Sequence, residues 1–72
     1  MIDPGYRASA LRSLEEMEKE AIRFEERADR KLKLAAAGVY DEDFVKLEVT
    51  IWRTQAKQIR EQAELLRKKI YD

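Results

Sequence analysis

The chain contains neither cysteine nor histidine, which removes most of the side chains that small proteins use to bind metals or to catalyse reactions. Without cysteine there are no disulfides and no thiolate zinc sites. Without histidine the commonest zinc ligand and the usual general acid or base are missing. The Glu-x-x-His spacing of di-iron bundles is also absent. We therefore predict a protein that is not an enzyme and has no catalytic residue, cofactor, metal or small-molecule substrate.

The sequence also lacks a net charge and a long apolar run. Fifteen basic and fifteen acidic residues balance, so no long-range field attracts the whole protein to nucleic acid or to an anionic membrane. No apolar run approaches the ~18 residues that a membrane span requires, and the first residues lack the apolar centre of a secretory signal. These features predict a cytoplasmic protein without membrane contact.

One proline and two glycines are the only strong helix breakers in a composition rich in alanine, leucine, glutamate, lysine and arginine. Such a composition is typical of long helices and coiled coils. The chain has room for a single domain, residues 1–72. Because a core of this size seldom contributes more than ~3–5 kcal/mol, small domains usually add a disulfide, a metal or a partner chain. Here we expect the partner chain.

A short segment in the middle of the chain predicts a bend between two helices. Asp3 and Pro4 have the pattern of an N-cap followed by proline at the first helical position. Gly38 lies where a helix ends in a left-handed residue, and Asp41 lies where the next helix needs an N-cap. We therefore predict a first helix over about residues 4–37, a turn over 38–41 and a second helix over about 42–71.

Apolar residues recur along both helices at alternating spacings of four and three, which is the repeat of a coiled-coil seam. The seam residues of the second helix are Val45, Val49, Trp52, Ala56, Ile59, Ala63, Leu66 and Ile70. The matching rows of the first helix are Ala10, Leu14, Met17, Ala21, Phe24, Ala28, Lys31 and Ala35. Lys31 is the one residue of these rows that is not apolar, and its long aliphatic side chain is expected to reach water near the bend.

Folding the chain back at the bend pairs seam residues whose numbers sum to 80, and large residues then face small ones, as Trp52 faces Ala28. The predicted fold is all-α: an antiparallel two-helix hairpin with an alanine-rich, coiled-coil-like seam. Opposite charges flank the seam, and although each pair is worth well under ~1 kcal/mol, together they favour this register over a slipped one. The ion pairs that this register predicts are Glu25 with Arg53 and Glu18 with Arg60.

A second row of side chains lies off the seam, and a lone hairpin has no further layer to cover it. Exposed apolar rows of this length usually mark an interface. The row is also nearly self-complementary about residue 55, as a two-fold axis requires. We predict a homodimer that forms a four-helix bundle, with a larger homo-oligomer or another helical protein as alternatives. The apolar stripe, as we call this row, consists of Leu34, Phe44, Leu47, Ile51, Gln55, Gln58, Gln62 and Leu65.

Three arginines on the first helix suggest a different role. Arg23, Arg27 and Arg30, the arginine ridge, recur at helical spacing and could contact successive phosphates of a nucleic acid. The alternative is that acidic neighbours neutralise the ridge through helical ion pairs such as Glu26 with Arg30. Phe24 lies between Arg23 and Arg27 but belongs to the seam, so no aromatic residue interleaves with the ridge to stack on bases.

The chain length, the hairpin and the small seam residues give an architecture similar to Rop, a small plasmid RNA-binding protein that is a dimer of helical hairpins. No sequence motif accompanies this resemblance. The sequence therefore favours a structural or protein-protein interaction module that self-associates. The alternative is a small Rop-like homodimeric bundle that binds RNA or DNA through the arginine ridge.

Overall fold

The computed structural model describes residues 4–71, which form two long helices joined by a short turn. Helix α1 spans Pro4–Ala36 and helix α2 spans Glu42–Tyr71. The helices pack side by side into a rod of 55 × 14 × 11 Å. The predicted N-cap Asp3 lies outside the described residues. The fold is all-α, as the sequence predicts.

The end of α1 is a Schellman motif built around Gly38. The φ angle of Gly38 is +81°, in the left-handed region that glycine enters without a Cβ clash. The Gly38 amide donates to the Ala35 carbonyl at 3.0 Å, and the Val39 amide donates to the Leu34 carbonyl at 3.0 Å. These two bonds satisfy carbonyls that the helix end would leave unpaired. Gly38 therefore terminates α1 where the sequence predicts.

The start of α2 is held by Asp41. Its Oδ1 atom accepts hydrogen bonds from the backbone amides of Asp43 at 2.9 Å and Phe44 at 3.2 Å. These are the amides that a helix N-cap residue normally satisfies. Glu42 and Asp43 add negative charge to the first turn, where the helix dipole favours it. The stop at Gly38 and the start at Asp41 reverse the chain within a few residues, so the helices run antiparallel.

The predicted seam is confirmed, because every seam residue of both helices is buried or half-buried. One core cluster, near the free ends of the helices, contains Leu14 and Ile70, with Leu66 packed against it. The other cluster, near the bend, contains Ala28, with Trp52 packed against it. These contacts agree with the predicted register, in which facing residues have numbers summing to about 80.

The core is thin because alanine supplies most of it. Five of the nine buried apolar residues are alanines, and Val45 is the largest side chain that is fully buried. Small side chains let the two helices approach closely. They also bury little apolar area, so hydrophobic stabilisation of the lone hairpin is small.

Lys31, the one polar seam residue, is partly exposed beside the bend and also contacts two side chains that the sequence does not predict. Its side chain is only 24% exposed, and its Nζ atom lies 3.6 Å from Glu48 Oε1. The same ammonium lies 4.1 Å from the centre of the Tyr40 ring. A carboxylate and an aromatic face both attract a cation, so Lys31 is held beside the bend.

The predicted ion pairs are wrong by about two helical turns. Glu25 pairs with Arg60 at 2.7 Å, and Glu18 pairs with Arg67 at 2.5 Å. Side chains on a helix lean towards its N-terminus, and in an antiparallel pair the two partners lean towards each other. On this side of the hairpin the paired residues therefore have numbers that sum to more than 80.

Candidate interaction surface

One edge of the hairpin is closed by ion pairs that run from an acid on α1 to an arginine on α2. Arg60 donates to Glu25 Oε1 through both Nε, at 3.0 Å, and Nη2, at 2.7 Å. Two further bridges continue the row, Glu18 with Arg67 and Asp29 with Arg53. We call this the charged edge: Glu18, Glu25 and Asp29 of α1 with Arg67, Arg60 and Arg53 of α2.

The other edge of the hairpin holds a shallow groove of about 620 Å³. Half-buried seam residues form its apolar part, and glutamines and glutamates form its rim. None of these lining residues makes an ion pair within the described part of the chain. We call it the open edge, lined by Met17, Glu20 and Phe24 of α1 and by Gln55, Gln58, Ile59, Glu61 and Gln62 of α2.

The apolar stripe continues from the groove along α2. Ile51 and Leu65 lie one helical turn before Gln55 and after Gln62, on the same side of the helix. Ile51 is 54% exposed, Leu65 is 55% exposed and Phe44 is 61% exposed. The outward-facing Leu47 is exposed as well. All eight predicted interface residues are thus accessible, while their contact with a partner stays a prediction.

Leu34 belongs to the end of the open edge near the bend. It lines a cleft together with Arg27, Arg30 and Trp52. Glu48 lines the same cleft, and its Oε1 atom is buried without a hydrogen bond. The Lys31 ammonium at 3.6 Å from that oxygen is too far for a hydrogen bond, but its charge still stabilises the carboxylate.

The arginine ridge borders the open edge on the α1 side, and its environment differs from the prediction. The Arg27 guanidinium lies over the Trp52 ring, 5.6 Å from the ring centre, so an aromatic residue does contact the ridge. Among the ion pairs of residues 4–71, the pair of Glu26 with Arg30 that the sequence suggests is not formed. Arg23 and Arg30 are exposed and make no ion pair in that range. The ridge is therefore less neutralised than its acidic neighbours suggest.

Sequence reasoning overlooked two parts of this surface. The sequence assigns Glu20 to no interface, yet Glu20 lines the groove. The heptad repeat places Phe24 and Ile59 in the seam, but both are only half-buried there and also line the groove. The signal that could have found them is the residue type beside the seam, which is glutamine on this side of α2 and arginine on the other.

Comparisons with protein-family models, with curated proteins and with solved structures returned no match. Among residues 4–71, neither helix has the length and apolar character needed to cross a membrane. The same residues contain no group of three or more acidic side chains placed to hold a metal ion. The absence of enzyme activity and the cytoplasmic location stay predictions.

Proposed function

We propose that this hairpin self-associates through its open edge into a four-helix bundle and serves as a structural or protein-protein interaction module. The observation that carries the proposal is the row of large apolar side chains, each more than half exposed, that continues the groove along α2. Exposed apolar rows of this extent cost solvation free energy unless a partner covers them.

The thin core gives a second reason for a partner. The hairpin alone buries mostly alanine, whereas Phe44, Ile51 and Leu65 could add the apolar area that the core lacks. One long face of a 55 × 14 Å rod covers roughly 770 Å², close to the ~800 Å² per partner of a stable protein interface. A second copy that lies along the whole open edge would therefore bury enough surface.

A two-fold axis near residue 55 makes the surface complementary to itself. In an antiparallel contact between two α2 helices, Phe44 faces Leu65 of the second copy and Ile51 faces its Gln58. Gln55 lies next to the axis, where it can hydrogen-bond to Gln55 of the second copy, and a wrong register would remove this pairing. Polar residues inside a helical interface specify its register in this way, at some cost in stability.

The test compares one substitution on each side of the molecule. Ile51→Lys places a charge in the proposed interface, whereas Ile22→Lys places it on the far side of α1, where Ile22 is 46% exposed. Analytical ultracentrifugation over a range of concentrations should show a wild-type dimer, an Ile22→Lys dimer and an Ile51→Lys monomer. Circular dichroism should show that both variants remain helical.

Three results would contradict the proposal. A wild-type monomer at every concentration would show that the open edge does not self-associate. An Ile51→Lys variant that keeps the dimer mass would place the interface elsewhere, and a wild-type mass above that of two copies would replace the four-helix bundle with a larger assembly.

Nucleic-acid binding through the arginine ridge is the second candidate. It is favoured by the exposure of Arg23 and Arg30 and by the absence of an ion pair to either within residues 4–71. Each phosphate contact should make binding weaker as salt rises. Fluorescence anisotropy with labelled RNA and DNA duplexes at low salt should then detect binding that is lost when the three ridge arginines become glutamine. No anisotropy change with the wild-type chain would exclude this candidate.

A further inference from the structure

We infer that α1 supplies half of the dimer interface through reciprocal ion pairs, Glu20 of each copy with Arg30 of the other. The inference rests on the proposed dimer and adds its second half, because the apolar stripe lies almost entirely on α2. It also gives a function to two charged residues that make no ion pair within residues 4–71.

The first observation is the contrast between these charges and those of the charged edge. Glu18 and Glu25 each hold an arginine of α2. Glu20 and Arg30 are exposed and make no ion pair within residues 4–71. Glu20 lines the groove and Arg30 lines the adjoining cleft, so both border the open edge. They are free to pair with a second copy that lies there.

The second observation is that two independent patterns share one centre. The facing positions of the apolar stripe, Phe44 with Leu65 and Ile51 with Gln58, place its centre between residues 54 and 55 of α2. In the hairpin, residue 55 lies level with residue 25 of α1, because facing residues have numbers that sum to about 80. Glu20 and Arg30 lie five residues before and after residue 25. A two-fold axis at this level therefore brings Glu20 of one copy opposite Arg30 of the other.

The same axis makes an opposite prediction for Arg23. It places Arg23 of one copy opposite Arg27 of the other, and like charges repel. Arg27 is turned towards its own Trp52 ring, which reduces this repulsion without removing it. Arg23 and Arg30 are both exposed arginines on one side of α1, seven residues apart, yet Arg30 should strengthen the dimer and Arg23 should weaken it.

The decisive experiment is a charge exchange across the axis. We expect Arg30→Glu and Glu20→Arg each to raise the dimer dissociation constant about three- to tenfold, because each change disrupts two surface ion pairs. The double variant carries both exchanged charges and should return to within about twofold of the wild type. Sedimentation equilibrium at low salt measures all four constants, and circular dichroism confirms helicity.

Neutral variants supply a second readout that does not introduce new repulsion. Arg30→Gln should weaken the dimer, whereas Arg23→Gln should tighten it, each by a few-fold. If RNA or DNA binding were the only function of the ridge, both substitutions would leave the protein dimer unchanged. That result would overturn the inference.

Failure of the inference and failure of the proposed dimer give different results. A wild-type chain that stays monomeric overturns both. A wild-type dimer whose dissociation constant does not change in Arg30→Glu, or is not restored in the double variant, overturns only the ion pairs of α1. The open edge would then be an interface formed by α2 alone.

Discussion

The two edges of the hairpin flank the same seam but end in opposite ways. On the charged edge, acids of α1 reach arginines of α2 at distances of 2.5 to 3.7 Å, so the chain satisfies its own charges. On the open edge, glutamines occupy the matching side of α2 and leave a groove. The residues beside the seam therefore decide whether an edge is closed within one molecule.

The charged edge also discourages the wrong assembly. Its acids all lie on α1 and its arginines all lie on α2. If two copies met at this edge with like helices in contact, acid would face acid and arginine would face arginine, and such contacts are repulsive. The open edge has no such bias on α2, so it remains the surface through which two copies can meet.

The largest expected effect is loss of the seam beneath both edges. Leu14 is buried in a core cluster, and Leu14→Ala should lower the free energy of unfolding by about 2–5 kcal/mol. Because the total stability of so small a domain is of similar size, much of the helix signal should be lost at room temperature. Urea denaturation followed by circular dichroism at one fixed protein concentration measures the change.

Leu65→Ala is the matched control, since Leu65 is exposed on the open edge. Under conditions in which the chain is monomeric, its unfolding free energy should change little. An equal loss of unfolding free energy in both variants would mean that Leu65 is as buried as Leu14. The open edge would then not be an exposed surface.

The sequence predicted the seam well because a coiled-coil repeat depends on residue type and spacing alone. The roles of Gly38 and Asp41 are also predictable, since each acts through its own backbone geometry or side chain. The exposed stripe on α2 followed from the same periodicity. These parts of the fold are local or periodic, and such information can be read from one chain.

The side-chain pairs could not be predicted in the same way. Residue numbers place Glu25 near Arg53, but the lean of both side chains along the helices joins Glu25 to Arg60. The position of Lys31 depends on where Tyr40 and Glu48 lie in space. Pairing between long side chains depends on their direction and reach, which a helical repeat does not specify.

A middle-sized effect should follow from making the open edge resemble the charged edge. Gln62 and Glu20 line the same groove, and Gln62→Arg would give Glu20 an arginine partner within its own chain. The new charge would lose solvation in the bundle, so the dimer dissociation constant should rise about tenfold.

Gln62→Leu is the control, because it adds apolar area and should not weaken the dimer. Sedimentation at several concentrations measures the dissociation constants of the two variants. A tighter Gln62→Arg dimer would show that a charged open edge does not oppose dimerisation.

A smaller loss of stability should follow from breaking the ion pair between Lys31 and Glu48, the one cross-helix pair near the open edge within residues 4–71. Lys31→Leu removes the cation beside the partly buried Glu48, so the unfolding free energy should fall by about 1 kcal/mol although the seam becomes more apolar. Adding Glu48→Gln removes the unpaired charge, and the double variant should recover the loss. Thermal unfolding of the four chains tests the coupling. If Lys31→Leu alone is the most stable of the four chains, the ion pair of Lys31 with Glu48 does not stabilise the hairpin.

The smallest effect should come from breaking a bridge of the charged edge. Arg60→Gln removes the hydrogen-bonded pair with Glu25, but both side chains are nearly half exposed, so the loss should be well under ~1 kcal/mol. Salt screens such a pair, and the difference from the wild type should shrink as salt is added. Arg12→Gln makes the same change in net charge at an exposed arginine with no ion pair within residues 4–71, so it controls for net charge. Equal salt dependence in the two variants, measured by urea denaturation, would show that the charged edge is no more closed than the open one.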